Sequence, residues 1–273
     1  RAAKRKSIEQ WAAKNTPDVW CMQEVRAPQN EIDPIFDEFG FEYATAGRIA
    51  DQSGLDRMNE ICRIKGRAGV GLLSALPVID KRYGLPGLAE DVDSGRWIEA
   101  DMQTPQGYVI TVVCVYVHAG NTDDPEKMKQ KYRFLDTMLV RMGQLRDEAA
   151  HGGKQAVLCG DFNIAHTPLD IKNAKANEKH AGFLPEERAY VDKWLGELEF
   201  VDVMRSLCGD IQGPYTWWSQ RGRAFDNNVG WRIDYQFATP ELAETARGFV
   251  IDKAPTYDLR WSDHAPLSIT YDV

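Results

Sequence analysis

The stretch Val157-Leu-Cys-Gly-Asp161-Phe-Asn163 passes from apolar side chains to an acid and an amide with a glycine between them. Val, Leu and Cys suit a strand buried on both faces. An Asp just beyond such a strand is poorly solvated and held by a rigid scaffold, a setting that suits metal ligation or proton transfer. The same punctuation recurs at Trp231-Arg-Ile-Asp234-Tyr and at Trp261-Ser-Asp263-His264-Ala-Pro. It also marks the early apolar run that ends in Gln23 and Glu24. A single strand-terminal Asp is ordinarily an Asx-turn or a helix cap. Four strands ending in carboxylates point instead to convergence on one sheet edge.

Outward from Asp161, apolar or period-two runs predict strands at Asp18–Met22, Gly69–Ser74, Arg96–Met102, Tyr108–Val117, Gln155–Cys159, Phe200–Met204, Arg232–Thr239, Arg247–Ile251 and Ala265–Tyr271. Arg1–Lys14, Pro125–Glu148 and Pro185–Leu198 read as helices. No internal repeat, low-complexity tract or long linker interrupts this order, and each half has too few strands to close its own core. Residues 1–273 are therefore expected to form one domain. Helices among strands, with an antiparallel-looking succession from Arg96 to Val117, favour an α/β fold of two packed mixed sheets with helices outside. Periodicity by itself leaves a single mixed sheet open.

Composition narrows the function. The longest apolar runs, such as Gly107–Val117, are strand-sized and fall short of the roughly 20 residues that a membrane span needs, so no membrane partner is expected. The five cysteines, at 21, 62, 114, 159 and 208, form no C-x-x-C pair and sit mostly in apolar runs. Buried free thiols in a reducing cytoplasm are the expectation. A formal charge of −8 is ill suited to nucleic acid, because phosphate binding draws on Lys and Arg. Basic residues nevertheless cluster at Arg1-Lys4-Arg5-Lys6, at Lys172, Lys175 and Lys179, and at Arg221 and Arg223, while acids gather at Glu90–Asp93 and Asp123–Glu126. Each cluster alone reads as a solvated face.

The residue types have a joint chemistry. Oxygen ligands such as Glu24 and Asp263 select a hard cation, Mg²⁺ or Mn²⁺, which neutralises phosphate charge and stabilises a leaving oxygen. A His beside a carboxylate donates a hydrogen bond or a proton to a phosphoryl oxygen, and an Asp paired with an Asn draws a proton from water while orienting it.

Pro17-Asp-Val-Trp-Cys-Met-Gln-Glu24, Gly160-Asp161-Phe-Asn163, Asn227-Asn228-Val-Gly-Trp231-Arg-Ile-Asp234-Tyr and Ser262-Asp263-His264 resemble, in order and spacing, exonuclease III and the abasic-site endonucleases of the endonuclease, exonuclease and phosphatase superfamily. Asp170–Phe183 is similar to the same proteins, and the resemblance runs nearly the whole chain. The G-D-x-N and S-D-H motifs occur across the superfamily, whereas V-G-W-R-I-D-Y points to its DNA-repair branch. The resemblance implies a four-layer α/β sandwich and a Mg²⁺-dependent hydrolase of base excision repair, with Mn²⁺ as the alternative ion. It implies incision of double-stranded DNA 5′ to abasic sites, leaving a 3′-hydroxyl, with 3′ to 5′ exonuclease and 3′-phosphatase action on blocked ends, by a monomer. Glu24 would be the principal metal ligand, with Asp263, Asp161 and Asn163 beside the same ion. Asp161 would activate water and Asn163 hold it or the phosphate. His264, oriented by Asp234, would contact the scissile phosphate, as would Tyr116, which the apolar Val112–Val117 run alone assigns to the core. Trp217, Trp218, Trp231 and Ile233 would shape a pocket for a flipped, baseless sugar. Arg1, Lys6, Gly66, Asn173 and Asn177 would touch the DNA backbone.

The chain departs from the family's pattern at His118 and Ala119, where Pro and then Asn or Gln are usual, and at His180, which replaces an Asn. The family's first strand, with an Asn that supports the metal site, would lie before residue 1. Two rivals remain: a phosphatase or sphingomyelinase acting on small phosphoesters or lipids with the same metal core, and a catalytically idle DNA-binding relative. The first has no need for the basic loop or for Trp217, Trp218 and Trp231. The second would have lost one of Glu24, Asp161, Asn163, Asp234, Asp263 or His264, and all are present.

Overall fold

The computed structural model describes residues 11, 14, 15, 17–25, 42–45 (backbone), 68–88 and 95–273. Most of the expected helix Arg1–Lys14, and the expected DNA contacts Arg1, Lys6 and Gly66, lie outside the described residues. The strands are β1 (Val19–Val25), β2 (Glu42–Thr45), β3 (Gly69–Ser74), β4 (Val78–Tyr83), β5 (Trp97–Gln103), β6 (Val109–Tyr116), β7 (Gln155–Asp161), β8 (Val201–Asp202), β9 (Asp234–Ala238), β10 (Ala246–Ile251) and β11 (Leu267–Tyr271). The helices are α1 (Pro125–Ala150), α2 (Ala174–Asn177), α3 (Pro185–Gly196), α4 (Val203–Cys208) and α5 (Pro240–Ala243).

Among the described residues, the central sheet runs β4-β5-β6-β7-β9-β8. It is mixed: β6 and β7 are parallel, because the long helix α1 carries the chain back across the sheet, and the other neighbours are antiparallel. One face packs Trp97, Val113, Val115, Leu158 and Phe237 against Phe134, Leu135, Met138 and Met142 of α1 and Val191 and Trp194 of α3. The other face packs Ile98, Ala100, Val112, Cys114 and Val157 against Val70 and Leu72 of β3 and Ile269 and Tyr271 of β11. That second layer contains the antiparallel sets β1-β3-β2 and β10-β11. Two stacked β layers with helices outside give the α/β sandwich, because a sheet apolar on both faces needs a cover on each.

One expected strand shortens and another strand arises unexpected, each for a physical reason. The predicted strand Phe200–Met204 pairs with β9 only at Val201 and Asp202, and then turns into α4, whose first turn Asp202 caps by accepting from the Arg205 amide at 3.1 Å. β4 escapes the apolar pattern because it is an edge strand carrying Asp80, Lys81 and Arg82.

Arg82 reaches across to β5. It donates to Glu99 at 2.9 Å and to both oxygens of Asp101 at 2.8 and 2.9 Å. Arg141 grips Glu99 through two 2.7 Å bonds, and Lys154 and Thr111 also donate to Asp101. Burial pushes both carboxyls up, yet Arg141 and Arg82 at Glu99, and Arg82 and Lys154 at Asp101, outweigh it and hold both below the ordinary range. A folded pKa below the unfolded value gives stability that is present at neutral pH and lost as pH falls through the unfolded value and beyond. The protein is therefore expected to lose melting temperature steadily from about pH 5 downward. Asp101→Asn should flatten that slope in a thermal melt series; an unchanged slope would show that this cluster does not govern acid stability.

Candidate active site at the ends of β6, β7 and β9

The strand register assembles the site. Tyr116, the last residue of β6, lies opposite Asp161, the last of β7, and Asp161 lies opposite Asp234, the first of β9. Three chemically able side chains thus stand in one row along the sheet edge. Gly160 allows the close approach of β6 and β7, since a Cβ there would meet the Val115 carbonyl oxygen at 1.9 Å.

Asp234 accepts from His264, whose Nδ1 lies 2.9 Å from Oδ2 and 3.1 Å from Oδ1. The other ring nitrogen, Nε2, lies 3.9 Å from Asp161, beyond hydrogen-bond reach. Burial favours the neutral imidazole, but the charge and hydrogen bond of Asp234, with the charges of Asp161 and Asp263, override it and raise His264 to about 10. His264 is therefore an imidazolium at neutral pH with one N–H free to face a ligand. Asp161 is 4% exposed, and burial raises its carboxyl to about 7, the charge of His264 limiting the rise and that of Asp234 adding to it.

Asn163 closes over Asp161. Its amide N–H donates to Oδ1 at 2.8 Å, and its side-chain nitrogen donates to Oδ2 at 3.1 Å and to the Val117 carbonyl at 2.9 Å. The residue sits at φ +51°, a left-handed conformation that Asn tolerates better than most. The amide nitrogen is committed to the protein, so the carbonyl oxygen is what Asn163 can offer a ligand.

Glu24 joins the row from the second layer. One extra residue between Met22 and Val25 of β1 makes a bulge against β3, and Glu24 takes φ +55° there. Its Oε1 accepts from the Tyr116 hydroxyl at 2.7 Å. Burial and this bond raise the phenol well above its usual value, so Tyr116 stays a neutral donor. Tyr116 is nearly buried, as its apolar strand implies, yet its hydroxyl reaches the site, and the Arg96 guanidinium lies 4.4 Å from its ring centroid. Asp263 follows a different path: its Oδ2 accepts from the Trp217 indole at 3.2 Å.

The expected metal ligands Glu24, Asp161, Asn163 and Asp263 do not close into a cage of protein groups. Among the described residues, no three acids, imidazoles or thiols are placed to hold a cation together. The donor set still fits a hard divalent ion. Exposed Glu24 and half-buried Asp263 offer carboxylate oxygens, and a Mg²⁺-like ion held by one or two carboxylates completes its shell with water and phosphate oxygens.

Single β-bridges carry the site sideways: His264 pairs with Trp217, Trp217 with Trp231, and Trp231 with Ile171. The Trp217 and Trp231 rings meet edge to face at 6.0 Å over Ala165, Ile171, Phe183 and Ile233. Gly182 backs this pair, where an added Cβ would lie 3.0 Å from the Trp231 ring. Ile233 is therefore buried beneath this aromatic pair. Trp218 is not part of the pair. It is 2% exposed, donates to Asn228 at 3.0 Å and packs on Tyr215 and Phe225, because consecutive residues in extended chain face opposite sides.

Lys172, which follows Ile171, donates its amide to Gly230 at 3.1 Å, and Lys172, Asn173, Lys175 and Lys179 are exposed, with Asn177 half-buried, on the segment that continues from Ile171. Arg221 and Arg223 are exposed on the loop between Trp218 and Trp231. The acidic net charge thus coexists with exposed basic residues on the segments that adjoin Ile171 and Trp231 in the chain.

The model of the Endonuclease/Exonuclease/phosphatase family matches residues 1–264. The chain belongs to this family. Among its relatives, an exodeoxyribonuclease of Bacillus subtilis (strain 168) is 28% identical over 256 residues, 94% of this chain and 88% of that protein. The structure of an AP endonuclease from Archaeoglobus fulgidus superposes with a TM-score of 0.80 at 29% identity, over 99% of this chain and 95% of that one. A 3′ phosphatase from Neisseria, solved bound to a product DNA hairpin, gives a TM-score of 0.80 at 25% identity over the same shares. Enzymes of this family generally depend on a divalent metal ion.

Proposed function

We propose that this chain is a Mg²⁺-dependent DNA-repair phosphodiesterase that incises double-stranded DNA 5′ to abasic sites and also trims or dephosphorylates 3′ ends. The supporting observation is the Tyr116–Asp161–Asp234 row, with His264 on Asp234, linked by β-bridges to the Trp217–Trp231 pair. The small-phosphoester reading has no use for such an aromatic pair or for the exposed basic residues on the segments that adjoin it in the chain.

Asp161 accepts a proton from water while Asn163 holds that water or the phosphate. The His264 imidazolium, fixed by Asp234, donates to a phosphoryl oxygen, and Tyr116 gives its one hydroxyl proton to Glu24, holding it in place, or to the same phosphate when that is bound. Glu24, with Asp263 near, is the group to hold Mg²⁺, which when bound neutralises phosphate charge and stabilises the leaving 3′ oxygen. Trp217, Trp231 and Ile233 accept a bare deoxyribose and refuse a full nucleotide by shape. Lys172, Asn173, Lys175 and Asn177 bind backbone phosphates. The reading includes a monomeric, single catalytic unit in the cytoplasm. The free thiols of Cys21, Cys114, Cys159 and Cys208 support a reducing compartment.

Labelled duplexes carrying one abasic-site analogue, no lesion or a 3′-phosphate test the proposal. The expected result is Mg²⁺-dependent incision 5′ to the lesion, abolished by EDTA. Trp231→Ala should lower the preference for abasic over intact duplex about tenfold, the low end of what a change in the fit of an apolar site does to discrimination. Cleavage of no DNA would sink the reading in favour of small phosphoesters or phospholipids. Unaltered preference in Trp231→Ala would remove the Trp217–Trp231 pair from recognition.

A further inference from the structure

Lys131 lies on the buried stripe of α1 with Phe134, Leu135 and Met138, and neither it nor its partner Glu187 has any exposed surface. Its ammonium donates to Glu187 Oε1 at 2.5 Å, to the Ala119 carbonyl at 3.1 Å and to the Asn163 carbonyl at 2.9 Å. The other oxygen of Glu187 accepts from the amides of Gly182 at 2.6 Å and Leu184 at 3.0 Å. One ion pair thus ties together three loops: the turn after β6, the Asn163 turn after β7, and the segment in which Gly182 backs Trp231.

We propose that Lys131 and Glu187 are positioning residues, a buried ion pair that holds Asn163 in its left-handed conformation over Asp161 and seats the Gly182 segment behind Trp231. The inference rests on the role given above to Asn163 in the reaction. Its physical basis is the Asn163 carbonyl. In a left-handed turn that oxygen leaves the strand ladder, and an ammonium held by a carboxylate fixes it more tightly than a neutral donor does. A cation placed there also favours ionised Asp161, whose carboxyl the Lys131 charge lowers against burial. Gly120 leaves room for the pair, since a Cβ there would lie 3.1 Å from the Lys131 side chain.

The test is the neutral double variant Lys131→Met/Glu187→Gln. It keeps volume and retains an acceptor for Gly182 and Leu184, and replacing both charges of a buried pair is often tolerated, unlike removing one. The expected result is a melting temperature near that of the parent. kcat on the abasic duplex should fall at least tenfold with KM unchanged, and the NMR signal of the Asn163 side-chain amide should be shifted and broadened. A folded double variant with parental kcat, or with an unmoved Asn163 signal, overturns the proposal. If the double variant does not fold, Glu187→Asp replaces it: the charges stay paired, but the carboxylate is set back by one methylene and draws the ammonium away from the Asn163 carbonyl, and the same signal must still move. If the parent itself leaves abasic DNA intact, the functional reading fails, while the amide signal still decides the positioning.

Discussion

Asp161→Asn is expected to lower abasic-site incision by about 10²–10⁴-fold, the range that loss of a general base produces. The same change should leave the protein as stable as the parent, or more stable. Burial raises the Asp161 carboxyl to about 7, so the folded protein holds that group's charge at a cost. A folded pKa above the unfolded value means that ionisation weakens the fold as pH rises, and an amide removes that term. Asn163 loses one of its two bonds to residue 161, a partial offset of about 1 kcal/mol. Single-turnover cleavage at saturating Mg²⁺, beside denaturant melts at pH 6 and pH 8 without metal, measures both. Incision within tenfold of the parent would take Asp161 out of the reaction. A variant markedly less stable at pH 8 would contradict the cost assigned to its charge.

Asp170→Ala is the substitution expected to do most damage to the fold. Asp170 and Arg232 are both fully buried, with Arg232 Nε 2.7 Å from Asp170 Oδ1. Arg205 donates to the same oxygen at 2.5 Å, and the Thr167 amide donates to Oδ2 at 2.8 Å. Arg232 also pairs with Asp202 at 2.7 Å, so the cluster joins the turn after β7, the start of α4 and the chain leading into β9. Removing one partner leaves a buried guanidinium short of a carboxylate, which costs about 3–5 kcal/mol. Urea melts at pH 7 read that loss directly. A change under 1 kcal/mol would show that Asp202 satisfies Arg232 by itself. Because Arg232 stands two residues before Asp234, partial loss of incision is expected to accompany the loss of stability.

The strands of the core were readable in advance because each is buried on both faces and bounded by turn residues. Gly69–Ser74 and the start of Gln155–Asp161 fall where the apolar runs place them. The Tyr116–Asp161–Asp234 row was readable for a related reason, since its acids interrupt runs that otherwise contain none. Register then did what sequence spacing cannot, bringing Tyr116, Asp161 and Asp234 abreast from positions far apart in the chain. β4 stayed hidden because its charged side chains bond along the sheet rather than face a core. The short helix α4 stayed hidden because Val203 and Met204 continue an apolar run that only the Asp202 cap ends. Trp217 and Trp218 read as one pair, and the alternation of extended chain sends one to pack on Trp231 and the other into the core. Lys131 offered a signal that went unread: a lysine in step with Phe134, Leu135, Met138 and Met142 occupies a buried position of the helix, and there it needs an acid.

The edges of the central sheet bear on how the protein behaves in company. An unpaired strand edge is a template on which another chain can add, and natural sheets blunt it with charge or brevity. β4 presents Asp80, Lys81 and Arg82 at one margin, and β8 ends the other after two residues by turning into α4. Both margins of the described sheet thus disfavour the addition of a second chain, one by charge and the other by brevity.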